Sequence, residues 1–253
     1  MRQLHPRKDP ILAAMGRFGA FKPESEQQIR QTQVKPNHAL ETLKSFWERF
    51  DYTSMWERDE IVLSKYYDIA RKLAKERPLS SHQIGEMTLV LKDLKMESIK
   101  MGTLEKNLQA RKMGLLLSAM INESPDKDFT IVTLNLGILP RSLGYANVKD
   151  INVVGDVGEY LGERMKSGSI TVDGNVCNQL LGSRYEGYIG SRMEGGIIRV
   201  KGNTGNNIAH WMSGGKLYLD GDMGDLLPRY PGALIYHKNK LVREGPFLGP
   251  DEM

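Results

Sequence analysis

The sequence predicts an α+β chain, with an N-terminal helical domain followed by a C-terminal right-handed parallel β-helix. Three observations predict it. A glycine-led unit beginning Gly155, Gly174, Gly202 and Gly221 recurs in the second half at spacings of 19, 28 and 19 residues. The first half carries a helical apolar period instead. Between them lies the turn-rich break Asn122-Glu123-Ser124-Pro125-Asp126. A repeat this short cannot bury its own apolar face, so its copies must stack.

Residues 1–36 form a basic arm with Pro6, Pro10, Pro23 and Pro36 and one short apolar patch, Ile11 to Ala14. An arm of this composition orders only where it meets a partner or the rest of the fold. Residues 37–124 read as a helical domain. Leu40, Leu43, Phe46 and Trp47 mark a first helix from Ala39 to Phe50, and Val62, Tyr66, Ile69 and Leu73 put a second on one face. Pro78 stops that helix. Ser80 with Gln83 has the spacing of a capping box and opens a third helix carried by Ile84, Met87, Leu91 and Leu94. A last helix starts near Thr103, with Leu104, Leu108 and Leu115 as its stripe and Met113, Leu116, Leu117 and Met120 thickening it. Four helices with short connections make a small bundle or a pair of hairpins.

Residues 125–253 form the solenoid domain and its tail. Thr130 to Leu134 reads as a strand, and Gly137, 18 residues before Gly155, suggests a degenerate first coil over 130–150. Two residues ahead of the leading glycines stand Val153, Val172, Val200 and Leu219; four ahead stand Ile151, Ile170, Ile198 and Leu217. Between them Thr171, Arg199 and Tyr218 point to the opposite side, as a half-buried strand requires. At offset six come Leu161, Ile208 and Leu227, joined by Ile189 once a nine-residue insertion in the second unit is allowed for. Met165, Met193 and Met212 follow as soft interior filler, ahead of Gly168, Gly196 and Gly215. Glycines at the corners supply positive φ and close backbone approach. Right-handedness is expected because parallel crossovers in one sheet are overwhelmingly right-handed.

Gly155-Asp-Val-Gly158-Glu-Tyr-Leu-Gly162-Glu-Arg-Met165-Lys-Ser-Gly168 resembles the GXGXG repeat of two related families. These are the C-type subunit of formylmethanofuran dehydrogenase and the C-terminal domain of the glutamate synthase large subunit. Gly190-Ser-Arg-Met193-Glu-Gly-Gly196-Ile-Ile-Arg-Val200-Lys-Gly202 matches best. The resemblance covers roughly 130–240 and leaves the helical half untouched. It implies a β-helix that is non-catalytic and braces other domains or subunits holding the cofactors. The pattern departs where Cys177 replaces the second glycine, where Ala209 and Pro228 replace the third, and where the final unit lacks the Met-x-x-Gly end.

Composition and chemistry bound the function. Hydrophobic residues make up 40% and charged residues 26%, the mix of a soluble globular chain, and no apolar run approaches a membrane span. No apolar signal opens the chain, and Cys177 is the sole cysteine, which fits a reducing cytoplasm. Net charge is +4, and residues 1–124 hold 21 Lys/Arg against 16 Asp/Glu. Gly155-x-x-Gly158-x-x-x-Gly162 lacks the helix that a phosphate loop needs, and no GxxxxGK[ST] occurs. The five histidines, His5, His38, His82, His210 and His237, have no metal-ligand spacing. The acidic pairs Asp220/Asp222 and Asp222/Asp225 belong to turns. No catalytic, cofactor or metal constellation emerges.

The expectation is a non-catalytic scaffold or assembly protein, working through protein partners or as a homo-oligomer. Its partner-binding loop would be the insertion, with Arg184, Tyr185 and Tyr188, residue types enriched at interface hot spots. The alternative is an RNA- or ribosome-associated factor. It would contact phosphates through Arg2, Arg7, Lys8 and Arg17 of the arm and Lys65, Lys72, Lys75 and Arg77 of the helical half.

Overall fold

The computed structural model describes residues 38–50, 60–91, 103–176, 187–227 and 232–244. The unit Ala39–Met253 carries the helical core and the solenoid. Among the described residues there are four helices: α1 (His38–Arg49), α2 (Glu60–Glu76), α3 (Ser81–Leu89) and α4 (Thr103–Glu123). Seven strands come after them: β1 (Asp128–Val132), β2 (Asp150–Val154), β3 (Ser169–Val172), β4 (Ile197–Val200), β5 (Lys216–Leu219), β6 (Leu234–His237) and β7 (Lys240–Glu244). They form one sheet in chain order, parallel from β1 to β6 and antiparallel between β6 and β7. The result is a β-solenoid of about five turns.

Strand alternation sets the ladder. Ile151, Ile170, Ile198, Leu217 and Ile235 pair in one buried column, and Val153, Val172, Val200 and Leu219 in a second. Each such aliphatic side chain contributes about 1.5–3 kcal/mol by leaving water. On the outer face Tyr218 stacks on Tyr236 at 4.8 Å, and Arg199 lies over the Tyr218 ring. Met165, Met193 and Met212 are fully buried, as their place in the repeat predicts.

The leading glycines serve close approach. A Cβ on Gly174 would lie 2.5 Å from the Gly155 carbonyl oxygen, and one on Gly202 2.5 Å from that of Gly174. The next residue of each unit carries a side-chain ladder. Asp156 accepts the Asn175 N–H at 2.7 Å, Asn175 accepts that of Asn203 at 2.8 Å, and Asn203 accepts that of Asp222 at 2.8 Å. Amide and carboxylate oxygens thus replace backbone pairing at the corner where the strands end.

Three details differ from expectation. The first coil aligns Thr133, not Gly137, with Gly155: Val132 pairs with Val154, and Thr133 donates its N–H to the Val154 carbonyl. Further on, Gly158 bonds to Pro140, so the additional residues of that coil lie in between, around Gly137. In the last coil Leu226, not Leu227, bridges to Ile208; Leu227 is 39% exposed. On α2 the buried face is Leu63, Tyr67, Ala70, Leu73 and Ala74, while Ile69 is 42% exposed. Two adjacent stripes there have the same spacing, and the packing of Tyr67 against Tyr145 (ring centroids 4.7 Å apart) goes with the one that is buried.

The Ser80–Gln83 capping box forms with both of its hydrogen bonds. Its helix ends at Leu89, so Leu91 is buried just beyond it, and Leu94 lies outside the described residues. Helix α4 runs on through Asn122 and Glu123, so the break begins at Ser124. Helical and solenoid residues share one continuous core, from Leu43 through Met120 to Ile235.

Candidate functional site

A stack of parallel coils leaves unpaired backbone groups at its first edge, and such an edge must be covered. Later coils show which groups these are. Gly162 donates to Leu143, Gly190 to Leu161 and Ala209 to Ile189, each reaching back one coil. Gly144 holds the same position in the first coil, with no coil behind it. Its N–H goes to Ser118 Oγ of α4 at 2.9 Å, and that of Tyr145 to the same oxygen at 3.2 Å. The Arg141 N–H goes to the Ala110 carbonyl, the Val148 N–H to Asn122 Oδ1, and the Val132 N–H to Thr88 Oγ1 of α3. Gly114 lets α4 come this close: a Cβ there would lie 1.6 Å from the Arg141 carbonyl oxygen. From Met113 to Ile121 every residue of α4 is buried, because this stretch packs against α2 on one side and bonds to the first coil on the other.

Where α4 crosses onto the second coil, four charges are buried together. The Arg111 guanidinium donates to Ser142 Oγ and, at 3.1 Å, to Glu163 Oε2; Ser142 Oγ also donates to Glu163 at 2.9 Å. Arg141 donates to Glu159 at 2.6 Å. Arg111 is 1% exposed and Glu159 1%. Burial on this scale is tolerated only for paired charges. Each carboxylate faces a guanidinium, an arrangement that ties α4 to the first and second coils.

The Tyr160 ring lies under both cations, 4.6 Å from Arg111 and 5.6 Å from Arg141. Burial raises the Tyr160 hydroxyl pKa. Tyr160 starts a chain of aromatic contacts. Tyr188 stacks on it at 4.6 Å and 1°, His210 meets Tyr188 edge-on at 5.8 Å, and Trp211 meets His210 edge-on at 5.7 Å. All four residues are half-buried. Tyr160 and Tyr188 share one left-handed turn position, with φ of 62° and 46°, while Trp211, with φ of 58°, belongs to the next such position along the coil. Arg164, Arg192 and Trp211 occupy that next position in successive coils, bonded in series by the Arg164 N–H to the Ser191 carbonyl and the Arg192 N–H to the His210 carbonyl. Burial lowers the Arg164 pKa, and the neighbouring Arg192 adds to this.

The structure places Tyr188 in the coil itself rather than in the insertion. Val176 bridges to Val157 and Thr204, and Tyr160 and Gly187 bond to Gly187 and Asn206 respectively, so the additional residues lie between Val176 and Gly187. Arg184, Tyr185 and Cys177 fall outside the described residues, as do Arg2, Arg7, Lys8 and Arg17. Lys65, Lys72, Lys75 and Arg77 are exposed on or just after α2. Acidic groups are interleaved with them: Asp68 lies exposed between Lys65 and Lys72, and Lys75 stands 3.8 Å from Glu123, which Arg71 also contacts at 2.5 Å. That contact raises the Arg71 pKa.

Sequence reasoning missed the helix-borne capping residues Thr88, Ser118 and Asn122, and the quartet Arg111, Arg141, Glu159 and Glu163. One signal was present. Glu159 and Glu163 stand where the next unit has Gly187 and Ser191, so acidity marks only the coil that meets α4.

Among the described residues no group of three or more His, Cys, Asp or Glu side chains is placed to hold a metal ion. No helix there is long and apolar enough to cross a membrane. The stretch from Gly155 to Gly162 runs through turns into β3 with no intervening helix, which removes a phosphate-binding helix terminus. Comparison with protein-family models, curated proteins and solved structures finds no match to this chain.

Proposed function

We propose that this chain is a non-catalytic scaffold or assembly module whose solenoid, coiled right-handedly, presents a rigid side to a protein partner. The observation that carries this reading is the aromatic cluster of Tyr188, His210 and Trp211, with Arg164 and Arg192 in the column that Trp211 continues. Tyrosine, tryptophan and arginine dominate binding hot spots because they offer large contact area at low entropic cost. Here the solenoid backbone fixes their spacing, so little ordering remains to be done on binding. The buried charge quartet supports the reading, since it ties the helices and the first coils into a stiff unit.

The test is affinity purification of the native full chain beside a Tyr188→Ser/Trp211→Ser variant, each with and without RNase. The reading expects a stoichiometric protein partner, or a second copy of the chain, that survives RNase and falls at least about tenfold in the variant. Retention unaffected by the variant removes the aromatic cluster from the interface. Loss on RNase treatment, with affinity falling steeply in salt, favours the RNA-binding alternative through the basic helical half.

A further inference from the structure

A second surface feature lies at the corner marked by the Asx ladder. A cavity of about 460 Å³ opens there between the turns after β4 and β5, within the range of about 300–1,000 Å³ that small-molecule sites occupy. Its floor includes Gly205 and Gly224, and its polar lining includes Asn203, Asn206 and Asp222, with Met223 as an apolar element.

The two asparagines are fixed by the backbone. Asn203 Oδ1 accepts the Asp222 N–H at 2.8 Å, and Asn206 Oδ1 accepts the Asp225 N–H at 3.0 Å. These bonds set each amide plane and leave each NH2 group as a positioned donor. The contrast with Asn175 is informative, because its NH2 is already engaged by Asp156 Oδ1 at 3.1 Å. Asp222 supplies the acceptor: Lys238 Nζ contacts its Oδ1 at 3.2 Å, leaving capacity on the carboxylate.

We infer that this cavity binds a neutral polyhydroxyl ligand of sugar size. Complementarity selects that class. An anion would meet the Asp222 carboxylate, and a cation would meet two amide NH2 groups. A hydroxyl both donates and accepts, so adjacent hydroxyls satisfy an amide donor and a carboxylate acceptor together. The C–H face of a sugar ring suits a floor of glycine and methionine, where no charge has to be desolvated. Glycine at 224 lets this turn close onto Asn206: a Cβ there would lie 2.1 Å from Asn206 Oδ1.

The experiment is saturation-transfer NMR on the full chain with D-glucose, D-galactose, D-mannose and N-acetylglucosamine. Sodium phosphate and putrescine, followed by calorimetric titration, serve as charged probes. Asn206→Asp keeps the oxygen that accepts the Asp225 N–H and removes the donor. Asp222→Asn keeps the shape and removes the acceptor charge. Thermal melting of both variants separates a lost site from a lost fold. The expected result is binding of at least one sugar by the native chain, weakened at least fivefold in both variants at unchanged melting temperature. The inference is overturned if none of the four sugars binds, if phosphate or putrescine binds more tightly than every sugar, or if sugar binding is indifferent to both variants. Should a variant melt early, an Asn203→Asp chain, which keeps the oxygen that accepts the Asp222 N–H and removes the other amide donor, takes its place and must lose the sugar fivefold.

Discussion

Arg111 on α4 and Glu163 on the second coil meet 3.1 Å apart, each almost wholly shut off from water. They are 52 residues apart in the chain, and between them stands Ser142 of the first coil, bonded to both. A pair this deep adds little net stability over an apolar replacement, but removing one member strands the other. Arg111→Met alone and Glu163→Leu alone should therefore each cost roughly 3–5 kcal/mol, and the double variant distinctly less than their sum. Urea unfolding of the three chains measures this. Strict additivity would mean that the two side chains do not act as a pair.

Ser118 answers a different demand, that of the coil edge. Its oxygen accepts from Gly144 and Tyr145 and donates to the Gly114 carbonyl at 2.6 Å. Ser118→Ala leaves at least one buried N–H without a partner, at a cost of about 1–3 kcal/mol. Hydrogen exchange should localise the loss, with the Gly144 amide losing protection while Gly190, bonded to Leu161 in the stack, keeps it.

The difference between these two regions and the coils explains what was legible in the sequence. Ile170 and Val172 announce their roles because Ile198 and Val200 repeat them at the same offset from a glycine. Repetition turns a weak local signal into a register. The Asx ladder went unread, although Asp156, Asn175, Asn203 and Asp222 each follow a leading glycine; the structure shows that they bond in series. Ser118 and Asn122 occur once, on a helix whose apolar residues already account for its burial, so nothing in the chain marks them as edge-capping groups. The α2 face illustrates the limit of periodicity. Val62-Tyr66-Ile69-Leu73 and Leu63-Tyr67-Ala70-Ala74 have the same spacing, and only the partner surface, with Tyr145 and Asn122, chooses between them. Leu226 and Leu227 pose the same problem in the worn last coil, where no further glycine pins the register.

Tyr67 gives the fold a measurable alkaline limit. Its hydroxyl accepts from Asn122 Nδ2 at 2.6 Å, and burial pushes its pKa up to about 12 from the usual value near 10. Burial raises Tyr145 and Tyr160 as well. A folded-state pKa above the unfolded one means the neutral form is favoured by folding. The contribution is complete below about pH 10 and is lost as pH climbs through about 12. Two units correspond to roughly 3 kcal/mol for Tyr67 alone. Urea unfolding should show stability falling over that window, and Tyr67→Phe should flatten the slope. A tyrosinate absorbance titration completed near pH 10, with no late component, would show the ring to be open to solvent.

Two helical glycines should respond in opposite directions to the same substitution. Gly114 sits where a Cβ would lie 1.6 Å from the Arg141 carbonyl oxygen and 3.1 Å from the Leu143 nitrogen, both backbone atoms that move only if α4 lifts off the first coil. Lifting it lengthens the Ala110–Arg141 hydrogen bond and pulls Arg111 away from Glu163. Gly114→Ala should therefore destabilise by about 3 kcal/mol or more, as overpacking and lost buried bonds combine. Gly85 lies inside α3, where an added Cβ would meet the Thr130 carbonyl oxygen at 3.5 Å, an ordinary contact. Gly85→Ala restricts the unfolded chain and raises helix propensity, so it should stabilise by about 0.5–1 kcal/mol. Thermal melts of the two variants beside the native chain settle the comparison. If Gly114→Ala proves as mild as Gly85→Ala, α4 does not rest on the first coil at the distance that the whole capping arrangement requires.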